Sequence, residues 1–136
     1  MPGAPPATSR GVGAEPHVNM TLTTRTVGNV TVLDVKGRLV LGDGDETFLK
    51  TVNDLAFAGH INMVLNMDEV TYIDSMGLGV LVSKYVTLKN RGGNLKVCNI
   101  HRRNFEVLTV TRLLTVLESF DSEAVAVESF RESAIG

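Results

Sequence analysis

Beyond residue 20, short β-prone runs alternate with stretches of helical period, and this alternation leaves few architectures open to the chain. Residues 21–27 and 30–36 are rich in Thr and Val, and the Gly28-Asn29 spacer between them is of the kind that closes a tight hairpin. Gly37 is the expected end of the second strand. Asp43 followed by Glu46 resembles a capping box and predicts a helix near 46–58. Phe48, Leu49, Val52, Leu55 and Ala56 then fall at helical spacing, and Gly59 sits where a C-terminal cap belongs. Residues 61–67 are short and mostly apolar, as a buried strand should be. Asp68 and Glu69 are expected in a loop, with Val70 to Ile73 as a second apolar approach.

The clearest helix spans 76–90, with Leu78, Leu81, Val82, Tyr85 and Leu88 along one stripe. Lys89 and Arg91 suit the negative end of its dipole, and Gly92-Gly93 stops it. Leu95 to Ile100 reads as another strand and 102–110 as a short helix carrying Phe105 and Leu108. Val116 and Leu117 are expected to begin a brief last strand, and Asp121 or Ser122 to cap a final helix with Val125, Val127 and Phe130. The fold class is therefore α/β: one domain over 19–136, whose four- to five-stranded mixed sheet starts from an antiparallel hairpin and carries packed helices. Leu65, Ile73, Leu81, Tyr85 and Val97 are the expected core.

All four prolines lie in the first 16 residues, together with Gly3, Gly11 and Gly13. That segment holds too little apolar surface to offset its ordering entropy, so residues 1–18 read as a disordered tail whose removal should leave thermal stability unchanged. The whole chain has 136 residues, 43% hydrophobic and 21% charged, with net charge −2. A pI near 5.9 argues against an electrostatic nucleic-acid binder. One cysteine, Cys98, precludes an intramolecular disulfide and fits a reducing compartment. With neither a secretory signal pattern nor an apolar run of ~20 residues, the expected location is the cytoplasm, without membrane insertion.

Chemistry concentrates at Asp74-Ser75-Met76-Gly77-Leu78-Gly79, where the apolar approach meets the start of helix 76–90. Asp and Ser are both strong N-cap residues, so one of them caps the helix and the other stays at its mouth. Glycines cost ~1 kcal/mol each inside a helix, so Gly77 and Gly79 in the first two turns point to a close approach to the backbone. A phosphate on a hydroxyl here would be tolerated by the unpaired N–H groups and positive dipole end of the helix. It would change the neighbouring surface sharply, because Asp74, Asp68, Glu69 and the acids at 43, 45 and 46 are expected nearby. Taken alone, Asp74-Ser75 is also an ordinary helix cap.

The segment Val64 to Leu81, with Val-Leu-Asn-Met followed by Asp-Ser-Met-Gly-Leu-Gly, closely resembles the signature of the STAS domain. The Gly92-Gly93-Asn-Leu-Lys-Val-Cys98 stretch and the later Phe105 and Leu108 are similar to the family as well, so the likeness covers about 21–131. The resemblance implies an anti-sigma-factor antagonist. Such a protein binds an anti-sigma factor that is also a serine kinase, frees a sigma factor, is released by phosphorylation and is reset by a phosphatase. The phosphorylated serine aligns with Ser75 and its preceding aspartate with Asp74; Met76, Gly77, Leu78 and Gly79 would line the partner surface. Two departures stand out. Met76 replaces a Ser or Thr, and Gly37-Arg38-Leu39-Val40 replaces a Gly-Glu-Leu-Asp strand end. Other members of the family are unphosphorylated scaffolds in stress-signalling or membrane-associated transport assemblies, which is the alternative reading.

No cofactor or metal is expected. Gly77-Leu-Gly79 lacks the third glycine of a dinucleotide fingerprint, since Val82 stands there. A calcium loop begun at Asp43 would need glycine where Phe48 stands. His17, His60 and His101 have no ligand spacing. Cys98 reads as a buried small hydrophobe, and Arg102, Arg103 and Glu118 as surface residues. A small hydrolase is the rival class, and it would need His60 or His101 to reach Ser75.

Overall fold

The computed structural model describes residues 20–39, 45–110, 112 and 115–135. The expected tail at 1–18, the capping Asp43 and Val40 lie outside them. Strands β1 (Met20–Val27) and β2 (Val30–Leu39) form the hairpin, and Gly28 supplies the positive φ of 62° that its two-residue turn needs. Helix α1 (Asp45–Phe57), β3 (Asn62–Ile73), α2 (Ser75–Asn90), β4 (Asn94–Cys98), α3 (Arg102–Val110), β5 (Ser119–Phe120) and α4 (Glu123–Ile135) follow. Among the described residues the strands make one five-stranded sheet in the order β1-β2-β3-β4-β5. Only the β1–β2 pair is antiparallel.

Three sequence expectations are corrected. Gly37 does not end β2; its φ of 106° lies at a register shift, and the strand runs on to Leu39. Asp68 and Glu69 do not form a loop but lie within β3, with Glu69 opposite Lys36. The pairing with β2 shifts twice, so β3 carries extra residues near 68 and 71. Each shift turns the strand over, which is why Met67, Val70 and Ile73 are all buried at a spacing of three that imitates a break. Third, the last strand begins at Ser119 rather than Val116. Its ladder with β4 starts where the Val97 amide donates to the Glu118 carbonyl at 2.9 Å, while Leu117 fills the core from outside the strand.

One sheet face carries the main core. Leu33, Met63, Leu65 and Val97 meet Phe48 and Val52 of α1, Leu81 and Leu88 of α2 and Leu108 of α3. Tyr85 packs at the margin of this core and is only partly buried. On the other face α4 covers Val30, Val32, Val64 and Cys98 with Ala126, Val127 and Phe130. Lys96, 1% exposed, fastens α4 to the sheet. Its amine donates to Ser129 Oγ at 2.8 Å, lies 3.2 Å from Glu118 and sits 4.3 Å from the Phe130 ring centre.

A polar network ties the same face together. Arg25 donates to both oxygens of Asp34 at 2.6 and 3.0 Å and to Glu123 on α4 at 2.8 Å, and Asn66 donates to Asp34 at 2.8 Å. The guanidinium holds the Asp34 carboxyl below the ordinary carboxylate range. A folded-state pKa below the unfolded one gives stability that is fully present above pH ~4 and is lost as pH falls through the folded value. Arg25 is 44% exposed, so solvent screening limits the contribution to ~1 kcal/mol or less. Asp34→Asn should therefore lose stability at pH 7 and differ little from the parent near pH 2, as urea titrations at the two pH values would show. A gap that stays constant with pH would assign the loss to packing.

Candidate functional site

Ile73, 2% exposed, anchors the end of β3 in the core and so fixes where the chain leaves the sheet. Asp74 follows in extended conformation, at φ −114° and ψ −176°, and is the N-cap of α2. Its Oδ1 accepts the Gly77 amide at 2.8 Å, and its carbonyl accepts the Leu78 amide at 2.9 Å. Of the two capping candidates, aspartate takes the cap, and Ser75 becomes the first residue of the helix with Met76 the second. The main-chain N–H groups of such a first turn have no partners within the helix.

Gly77 and Leu78 are buried, the latter 5% exposed. Gly79 is exposed, and a Cβ added there would meet no atom within 4 Å. Nothing in the described chain approaches this glycine, so its open backbone faces outward. The parallel register sets Leu39 beside Ile73 and Arg38 beside Tyr72, which brings the end of β2 alongside the Asp74 turn. The Arg38 guanidinium lies 5.0 Å from the centre of the Tyr72 ring, and Tyr72 is 40% exposed. The rim beside the turn is therefore a cation stacked on an aromatic ring, a contact that fits Arg in place of the acid expected from the resemblance.

Of the acids expected around the turn, Asp68 and Glu69 pair elsewhere, and Asp43 lies outside the described residues. Because β3 is continuous, Asp68 stands six residues before Asp74, roughly 15 Å along the sheet once the two extra residues are allowed for. Asp68 instead meets His101, whose Nε2 contacts the Asp68 carbonyl and lies 3.8 Å from its carboxylate. Glu69 pairs loosely with Lys36 at 3.9 Å. This placement also removes His101 from Ser75. His60 precedes β3 and Ser75 follows it, so the bulged 12-residue strand separates them by roughly 30 Å. Neither histidine is placed to serve as a base for Ser75. His17 lies outside the described residues.

Sequence reasoning missed Lys84. It is 6% exposed within the apolar stripe of α2, and its amine donates to Asn53 of α1 at 2.8 Å. Burial pushes its pKa down. The signal was its position: Lys84 follows Leu81 by three residues and precedes Leu88 by four, on the same face. Cys98 is fully buried, and burial first, then nearby carboxylates, pushes its thiol up to about 12. At pH 8 it should react with a disulfide reagent ~1000-fold more slowly in the native protein than in the urea-unfolded chain. Rapid native labelling would mean that the α4 side of the sheet opens readily. Among the described residues no cluster of three or more His, Cys, Asp or Glu is placed to hold a metal. No helix among them is long and apolar enough to cross a membrane.

The model of the STAS domain family matches residues 21–126. The anti-sigma F factor antagonist of Paenibacillus polymyxa is 28% identical over 65 residues, which are 48% of this chain and 56% of that protein. The anti-sigma-B factor antagonist of Bacillus subtilis is 35% identical over 52 residues, 38% of this chain and 48% of that protein. The chain thus spans about half the length of these curated relatives. An anti-sigma factor antagonist from Mycobacterium paratuberculosis superposes with a TM-score of 0.72 at 18% identity, covering 82% of this chain and 94% of that one. The Bacillus cell fate determinant SpoIIAA in its phosphorylated form superposes with a TM-score of 0.65 at 17% identity, covering 81% and 99%. At these identities the superpositions establish the fold.

Proposed function

The chain belongs to the STAS domain family, and we propose that it works as an anti-sigma-factor antagonist switched at Ser75. With Ser75 unmodified, the surface around the start of α2 binds an anti-sigma factor that is also a serine kinase, and a sigma factor is freed. Transfer of the γ-phosphoryl group of that kinase's ATP to the Ser75 hydroxyl releases ADP and breaks the complex. A phosphatase restores it by hydrolysis. The observation that supports this reading is the division of labour at the turn: Asp74 performs the capping through the Gly77 amide, so the cap is made without residue 75. The names of the two sequence relatives support the partner class.

The proposed surface centres on Asp74, Met76 and Gly79, with the open backbone at Gly79 admitting close approach, whereas Gly77 and Leu78, expected on this surface from sequence, are buried and shape it from beneath. The protein itself supplies no catalytic group; the kinase brings nucleotide and magnesium. A pull-down from the native host, followed by mass spectrometry, tests this directly. The expected result is an anti-sigma factor in the eluate and phosphate on Ser75. Phosphate only on other residues would move the switch elsewhere.

A further inference from the structure

The two edges of the sheet differ in length. β5 closes one side with two residues, whereas β1 ends the other with eight, all paired with β2 in an unbroken register. Val27 and Val30 close the two-residue turn as a hydrogen-bonded pair, so Thr21, Thr23, Arg25 and Val27 turn their N–H and C=O groups toward β2. Met20, Leu22, Thr24 and Thr26 turn theirs outward, along an edge that no other strand among the described residues pairs. Natural edges of this length are blunted by proline, lysine, bulges or inward charges. β1 has no proline, lysine or bulge. Its single charge, Arg25, is folded back onto Asp34 and Glu123, which leaves the edge electrically neutral.

We infer that β1 is a self-association edge on which a second copy of this chain pairs its own β1, antiparallel, about a twofold axis at Thr23. In this register Leu22 stands opposite Thr24 of the second copy and Met20 opposite Thr26, so all four outward residues of each strand find partners. Thr23 faces its own counterpart, and Arg25 faces Thr21, so no like charges oppose one another. The result is a continuous ten-stranded sheet, five strands from each copy. The segment ahead of β1 is a poor occupant for the same edge. Pro2, Pro5, Pro6 and Pro16 remove donors, and Gly11 and Gly13 weaken the stretch between them. The pairing leaves α2 free, because that helix starts beyond the end of β3, two strands from the edge.

The test is the mass of the full chain by light scattering, from ~10 µM to ~1 mM, the range suited to a small interface. The expected mass rises from 14.7 kDa toward twice that value. Thr24→Pro deletes an outward donor and spares the β1–β2 ladder, so it should stay monomeric with unchanged circular dichroism. Thr24→Lys serves the same purpose if the proline variant does not fold, since the two lysines would crowd the axis. The amides of Leu22, Thr24 and Thr26 should exchange more slowly at high concentration, and those of Thr23 and Arg25 should not change. A wild-type mass that stays monomeric across the range overturns the inference. So does a dimer that survives both substitutions.

Discussion

Ser75→Asp is expected to fold like the parent and to bind the anti-sigma factor ~10- to ~100-fold more weakly, a loss of ~1.4 to ~2.8 kcal/mol. Folding survives because the residue is the first of α2, where the helix dipole favours an acid by a few tenths of a kcal/mol. The Asp74 cap does not depend on position 75, since its bonds run to Gly77 and Leu78. Binding suffers because a partner seated on the first turn would have to desolvate a carboxylate beside the one already at Asp74. Ser75→Ala should keep the parental affinity and accept no phosphate. Aspartate carries one charge where a phosphoserine carries roughly −1.5 to −2, so the phosphorylated protein should bind more weakly still. Titration calorimetry against the cognate anti-sigma factor would check the series. Equal affinities for serine, alanine and aspartate, with no phosphate on Ser75 after incubation with the kinase, would leave a constitutive scaffold as the better account.

That series was accessible from sequence because the turn is local. Asp74, the small residues after it and the stripe of α2 lie within a few turns of one another, and capping chemistry acts at that range. What escaped was set by pairing between distant strands. The register shifts of β3 against β2 convert an apparent apolar–polar–apolar break into one bulged strand, and this carries Asp68 and Glu69 away from the switch. The Arg25–Asp34 pair was half legible. A two-residue turn at 28–29 already places these residues diagonally on one face of the hairpin. Their link to Glu123 could not be read, because it depends on α4 folding back over the sheet. Lys84 and Lys96 were obscured by their own chemistry: long stems bury well when the amine finds an acceptor, here Asn53 and Ser129. The cation beside the turn, Arg38 over Tyr72, stands where the resemblance implied an acid, so an acidic patch on the partner would suit this rim better than a basic one.

The glycines separate stability from function most sharply. At Gly93 an added Cβ would lie 2.0 Å from the Ile61 carbonyl oxygen and 2.6 Å from its carbon. Both are main-chain atoms, and the same carbonyl accepts the Asn94 amide at 3.0 Å where β4 begins, so neither side can yield without breaking that bond. Gly93→Ala should therefore cost ~3 kcal/mol, near the upper end for overpacking, and lower the melting temperature by ~10 °C. Gly79 is the counterpart. It is helical and open, with nothing within 4 Å of an added Cβ, so Gly79→Ala should leave stability unchanged or raise it by up to ~1 kcal/mol. If a partner packs on that backbone, the same substitution should weaken binding ~10-fold, because a methyl group would hold the two surfaces apart. Melting curves and anti-sigma-factor titrations on the two variants would give opposite patterns: Gly93→Ala unstable but able to bind when folded, Gly79→Ala stable but impaired in binding. Unchanged affinity for Gly79→Ala would move the contact surface off the first turns of α2 while leaving the fold argument at Gly93 intact.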